Sequence, residues 1–237
     1  MECNKKFTEF NIKKRTFTKV FLNFLGNLFF IYCVIISIAL IFFSLVTMEN
    51  EVDGPSMQPT LNRLSRDKHD FVYVNLFDHD YNYEDIIVLD NNNGVKVIKR
   101  IVGLPGDRID IVIDNHEYKL ERNGEIIVED YILIDSNPST ITIEKNGMDC
   151  AYEDLERLEA SNPEWFEDGK YVVKENEVFI LGDHRNDTED SADYGGISMD
   201  NIYGKVERIR YYGENAFLFY LDYIKNGEFI KTFVNMF

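Results

Sequence analysis

The hydrophobic pattern divides the chain in two. Leu28 to Val46 reads LFFIYCVIISIALIFFSLV, 19 residues without a charge, and Val20-Phe21-Leu22 extend the run upstream. That length suits a helix crossing a hydrocarbon core of about 30 Å. A cleavable leader has a shorter apolar region, about 7–15 residues, ending in a small-residue site. This run instead leads into TMENEVDG. The pattern predicts a retained transmembrane helix over residues 20–48, following a tail of residues 1–19.

Beyond the span the period changes to that of strands. FVYVNLF, DIIVLD, VKVIKRIVGL, RIDIVID and YKLERNGEIIV are short and rich in Val, Ile and Tyr. Turn chemistry separates them, as in Asn91-Asn92-Asn93-Gly94 and Pro105-Gly106-Asp107. Asn123-Gly124 predicts a two-residue hairpin with a primed turn. Residues 148–169 (MDCAYEDLERLEASNPEWFEDG) break the rhythm with an acidic helical stretch, read as a surface insertion. Strands resume at YVV, EVFILGD and GKVERIRYYG. The terminal AFLFYLDYIKNGEFIKTFVNMF is too interrupted by charge for a second span. It reads as a final strand pair, or alternatively as an interfacial segment facing the bilayer. The fold class expected for residues 49–237 is mainly β, sandwich- or barrel-like, with one small helical insertion.

Charge sharpens this division. Residues 1–19 carry six basic and two acidic side chains, a net of +4, and the rest of the chain carries 19 basic and 40 acidic, a net of −21. A basic flank stays on the cytoplasmic side, which puts Glu49 onward outside the cell membrane. So acidic a domain repels a phosphate backbone, so no nucleic-acid partner is expected. Three cysteines (Cys3 in the tail, Cys33 in the span, Cys150 in the domain) allow no bridge within the domain. No CxxC pair or histidine cluster suggests zinc, and no metal is expected.

Two residues stand out as chemistry. Ser56 follows Gly54-Pro55, a turn dipeptide that leaves a hydroxyl clear of a strand end. Lys99 lies in VKVIKRIVGL, where period 2 puts Val95, Val97, Lys99 and Ile101 on one face. Burial there disfavours the ammonium, and a neutral amine is what a general base must be. Each residue alone has a bland reading, a turn serine and a lysine that snorkels from a strand. Arg100, whose guanidinium never deprotonates, is expected to pair with a carboxylate.

The surroundings of the pair add to it. GPSMQPTL, KRIVGLPGD and LGDHRNDTEDS resemble, in this order, the sequence boxes of the bacterial type I signal peptidases, and EDIIVL resembles the family's less specific strand box. The resemblance covers residues 54 to about 196 and implies that family's β-sandwich or barrel catalytic domain, of the Gram-positive kind with a single anchor. It implies Ser56 as nucleophile and Lys99 as general base, with no cofactor. Met57, Leu61, Val97 and Ile98 would line a shallow apolar pocket for the residue before the cut. Thr188 falls where the family has a serine that orients the lysine. Asp183, Arg185 and Asp190 would hold the site together without reacting. Substrates would be secretory precursors with small residues at the first and third positions before the cut, processed at the lipid bilayer.

Three positions depart from the family pattern. Ala192 stands in place of an arginine that would pair with Asp190. His184 replaces an asparagine. Gly54 stands where some members supply a serine hydroxyl to the oxyanion hole, which leaves the Ser56 amide as the identifiable donor. Two rivals share the residue pattern. A self-cleaving serine/lysine repressor would carry a DNA-binding domain and no span. Ala192 and Gly54 lend some support to a membrane-anchored binding protein with a vestigial site, but both Ser56 and Lys99 remain. Penicillin-binding chemistry is disfavoured, because Ser56-Met57-Gln58-Pro59 is not S-x-x-K.

Overall fold

The structure, a computed structural model, describes residues 19–38, 41, 47–63, 68–91, 94–132 and 148–226. It divides into two units, residues 1–46 and residues 47–237. The first contains helix α1 (Lys19–Ile38), 20 residues long and apolar enough to cross a membrane. Its large side chains, among them Phe24, Leu28, Ile31, Ile35 and Ile38, are exposed rather than packed on protein. Residues 1–18 of the expected tail, and residues 39–40 and 42–46 of the expected span, lie outside the described residues.

The second unit begins earlier than the hydrophobic run suggested. Thr47 and Met48, assigned above to the span, belong to strand β1 (Thr47–Glu51) and pair with Asn75 and Val74 of β2 (Phe71–Asn75). Their backbone groups are satisfied by a sheet ladder, so the span cannot extend to residue 48. The remaining strands are β3 (Ile86–Asp90), β4 (Lys96–Gly103), β5 (Arg108–Asp114), β6 (Glu117–Arg122), β7 (Glu125–Ile126), β8 (Phe166–Glu167), β9 (Lys170–Val172), β10 (Glu177–Leu181), β11 (Ile197–Ser198) and β12 (Ile202–Arg210). Helices α2 (Met148–Ser161), α3 (Ser191–Tyr194) and α4 (Ala216–Lys225), with short 3-10 turns at Pro163–Trp165 and Met199–Asn201, complete the described elements.

All the strand pairs are antiparallel and form two sheets, ordered β1-β2-β12-β3-β4-β10-β11 and β7-β6-β5-β9-β8. The domain is mainly β, as its alternating pattern predicted. Asn123 and Gly124 both take positive φ, 56° and 86°, the conformation that a primed hairpin turn requires.

Strand β4 is apolar on both faces because it is covered on both. Ile101 and Val97 pack with Ile87, Leu89 and Ile180 in one cluster. Ile98 packs with Met57, Leu61, Val72 and Val88 in another, and Val102 joins a third with Ile109, Leu120 and Phe179 of the two sheets.

Two expectations are corrected here. Helix α2 lies within the expected stretch 148–169 and is exposed along one side, but its other side is built into the core. Met148, Ala151, Leu155 and Leu158 recur at helical spacing and are buried against β5 and β6, an apolar stripe that the acidic composition disguised. The C-terminal stretch forms a helix over Ala216–Lys225 instead of a strand pair. Phe219 and Asp222 share a helical face, one stacked on Tyr73 and the other paired with Arg208. Residues 227–237 lie outside the described part.

Candidate active site

Ser56 opens a tight turn that the core holds from below. Gly54 adopts a φ of 90°, a conformation few side chains tolerate, and turns the chain out of β1. Gln58 donates its N–H to Pro55 O and Leu61 to Met57 O, each over 2.8 Å, so Ser56 to Leu61 coil once. Met57 and Leu61 are the apolar anchors of that coil, both buried in the cluster with Ile98.

Asn62, which the sequence reading passed over, fastens the turn. Its side chain donates to Val52 O over 2.9 Å and to Gly54 O over 3.1 Å, and its Oδ1 accepts the Asp70 N–H. Its own N–H goes to Asp70 Oδ2 over 2.7 Å. The available signal was its type, because asparagine tolerates the positive φ of 53° found there. Among the described residues, the Ser56 N–H has no backbone acceptor.

Lys99 is only 3% exposed. Its register partner is Ile87 of β3, and Val97 and Ile101 flank it on its own face. Burial pushes its amine below the ordinary lysine range, against the opposing pull of Asp190, Glu189, Asp183 and Asp193. Four acids at one remove thus fail to outweigh desolvation. The amine makes no ion pair among the described residues.

Val97 does not join the other three residues expected to line a pocket. Alternation along β4 puts it across the sheet from Ile98, in the cluster of Ile101. Met57, Leu61 and Ile98 do come together.

The loop after β10 brings the remaining candidates in. Leu181 pairs with Arg100, so Gly182 comes alongside Lys99. A Cβ on Gly182 would stand 2.4 Å from the Thr188 hydroxyl and 2.6 Å from the Ser56 carbonyl oxygen. The missing side chain is therefore what lets Thr188 and Ser56 close over the end of β10. His184 then donates its N–H to Ser56 O over 3.1 Å. The Thr188 hydroxyl is buried without a hydrogen-bond partner, so no bond to Lys99 is present.

Arg100 points to the opposite face from Lys99. Its Nε and Nη2 donate to the two oxygens of Asp183 over 2.8 and 2.6 Å, and Thr60 donates to Asp183 over 2.5 Å. Arg185 pairs with Glu129, a partner 56 residues away along the chain with no local pattern to mark it.

Asp190 shows how the chain manages with Ala192. Its carboxylate accepts Gly182 N–H over 2.9 Å and Ala192 N–H over 3.1 Å, and caps α3 in a reciprocal box with Asp193. Backbone donors meet the charge that an arginine would have met. Burial raises the Asp190 carboxyl above its usual range, opposed by those N–H groups and by Lys99.

The sequence was compared with known proteins. The family model described as signal peptidase, peptidase S26, matches residues 25–211. Signal peptidase I S of Bacillus subtilis is 29% identical over 172 residues, covering 71% of this chain and 74% of that protein. Signal peptidase I of Bacillus caldolyticus is 30% identical over 196 residues, covering 79% and 89%. The matched span runs from α1 through β12 and contains every candidate residue named above. The chain belongs to the signal peptidase family, peptidase S26.

Proposed function

We propose that this protein is a membrane-anchored endopeptidase that removes signal peptides from secretory precursors, with Ser56 as nucleophile and Lys99 as general base. The observation that carries the reading is the burial of Lys99 on an apolar strand face, next to a strand, β10, whose following residue Gly182 lies against the Ser56 carbonyl and the Thr188 hydroxyl. The names of its relatives, signal peptidase I, support the substrate class.

The chemistry follows from the charges. Neutral Lys99 takes the proton of the Ser56 hydroxyl as Ser56 attacks the carbonyl carbon of the scissile bond. The oxyanion forms next to the Ser56 N–H, with no serine hydroxyl at Gly54 to help. Lys99 returns its proton to the leaving amine, then activates water to cleave the ester. The Thr188 hydroxyl, buried without a partner, is suited to receive or direct the lysine amine as it moves. Precursors would bind extended, as an added strand, with small residues at the first and third positions before the cut.

Helix α1 would be the anchor in the lipid bilayer, with residues 1–19 cytoplasmic and the acidic domain outside. Protease added to intact cells should then degrade the domain, and protection of the whole chain would reverse the orientation. For the activity itself, the detergent-solubilised protein is incubated with a secretory precursor and the new N-terminus mapped. Cleavage at the signal-peptide boundary that Ser56→Ala abolishes is the expected result. Cleavage by Ser56→Ala within about tenfold of the parent would remove Ser56 from the mechanism.

A further inference from the structure

The Arg185 side chain is fully enclosed, yet no acyl-transfer step uses it. The Glu129 side chain, 3% exposed, meets its charge with both oxygens: Nη2 donates to Oε1 over 2.6 Å and Nη1 to Oε2 over 2.9 Å. With both terminal nitrogens engaged there, Nε donates to Gly182 O over 2.8 Å. Tyr131 donates its hydroxyl to Glu129 Oε1 over 2.7 Å, and burial together with that carboxylate holds the phenol well above its ordinary range. The Arg100 guanidinium lies on the Tyr131 ring, 3.9 Å from its centroid, and grips Asp183 with the other side of its fork. Gly182 and Asp183 are consecutive. Each is held by a different guanidinium, and both guanidiniums rest on the short segment Glu129–Tyr131 that follows β7.

We propose that Glu129 is a positioning residue of the active site, fixing through Arg185 the Gly182–His184 turn that holds Ser56. The inference rests on the Ser56/Lys99 reading given above. A buried ion pair adds little net stability, because desolvation offsets its attraction. Its bidentate geometry, however, sets where Arg185 lies, and Arg185 sets the Gly182 carbonyl. Without the Glu129 charge Arg185 stays cationic, since guanidinium does not deprotonate. The other buried carboxylate whose field reaches it is Asp190. Turning toward Asp190 would release Gly182 O and compete for the oxygens that now hold Gly182 N–H and Ala192 N–H. Both peptide groups of Gly182 would loosen together, and with them the contact from His184 to Ser56.

The test measures kcat and KM on a synthetic precursor peptide with an apolar core and alanines at the first and third positions before the cut. Glu129→Gln, Tyr131→Phe and Ser56→Ala are assayed beside the parent, each well below its thermal midpoint. Glu129→Gln should lower kcat by about tenfold or more, the scale of a misplaced reacting group, and leave KM within about twofold. Tyr131→Phe, which keeps the ion pair and removes one restraint on it, should lower kcat by about two- to fivefold. A folded Glu129→Gln protein with kcat within about twofold of the parent, or with only KM raised, overturns the proposal. Should Glu129→Gln not fold, an unchanged kcat in Tyr131→Phe overturns it instead. Failure of the underlying reading looks different: Ser56→Ala would then remain active.

Discussion

Gly182 lies so close to Ser56 that a single added carbon would stand 2.6 Å from the Ser56 carbonyl oxygen. The Ser56 turn and the loop after β10 meet across a gap that only a glycine leaves open. Gly182→Ala should therefore act on catalysis out of proportion to its size. The methyl must push either Thr188 or the Ser56 turn aside, and we expect kcat to fall by about ten- to a hundredfold in a protein that still folds. Steady-state cleavage of a precursor checks this, and a rate equal to the parent's would mean that the loop yields without moving Ser56.

The Thr188 hydroxyl is buried and unpartnered at that same junction. An orphaned buried hydroxyl costs about 1–3 kcal/mol, so it persists where something uses it. Thr188→Val keeps the shape and removes the oxygen. The variant should melt no lower than the parent and cleave more slowly, because the amine of Lys99 would lose the hydroxyl proposed to direct it. Thermal melting and cleavage assays on the same sample decide it. A variant that is equally fast would show that Lys99 is positioned by packing alone.

Much of this was legible in the chain, and the reasons differ by residue. The strands around Lys99 were legible because β4 is flanked by β-branched residues and ends in turn chemistry. Asn123-Gly124 was legible because few other pairs take positive φ twice. Helix α2 was placed correctly but misjudged, since its stripe of Met148, Ala151, Leu155 and Leu158 is diluted by ten other residues, six of them charged. Strand β1 was hidden because TMENE has no apolar alternation and follows directly on a membrane-length run. Glu129 and Tyr131 had no local signal at all, and Asn62 had only its type, suited to a positive φ. Their roles come from contacts with residues distant in sequence, such as Glu129 with Arg185.

Asn62 gives a separate check on the turn. At 1% exposure its amide serves Val52 O, Gly54 O and Asp70 N–H at once. Asn62→Ala strands all three and loses a residue suited to positive φ. We expect a loss of about 1–3 kcal/mol, seen as a lowered thermal midpoint, together with slower cleavage. A midpoint unchanged from the parent would contradict the claim that this side chain fastens the Ser56 turn.

The central claim is that Lys99 works as a neutral amine because burial disfavours its charge. The sign follows directly. With the folded pKa lowered, the unfolded chain binds one more proton between that lowered value and about 10.4, so stability rises with pH across this window and the buried amine is a burden below it. Lys99→Met should accordingly fold at least as well as the parent while being inactive. The most direct measurement is kcat/KM against pH for the parent and for Lys99→Arg on one precursor. The parent rate should rise with pH on a limb set by loss of the Lys99 proton, below the range of a free lysine. Lys99→Arg should stay at background throughout, since guanidinium keeps the charge and cannot accept the serine proton. Substantial cleavage by folded Lys99→Arg would contradict the account and make Lys99 an electrostatic or structural residue.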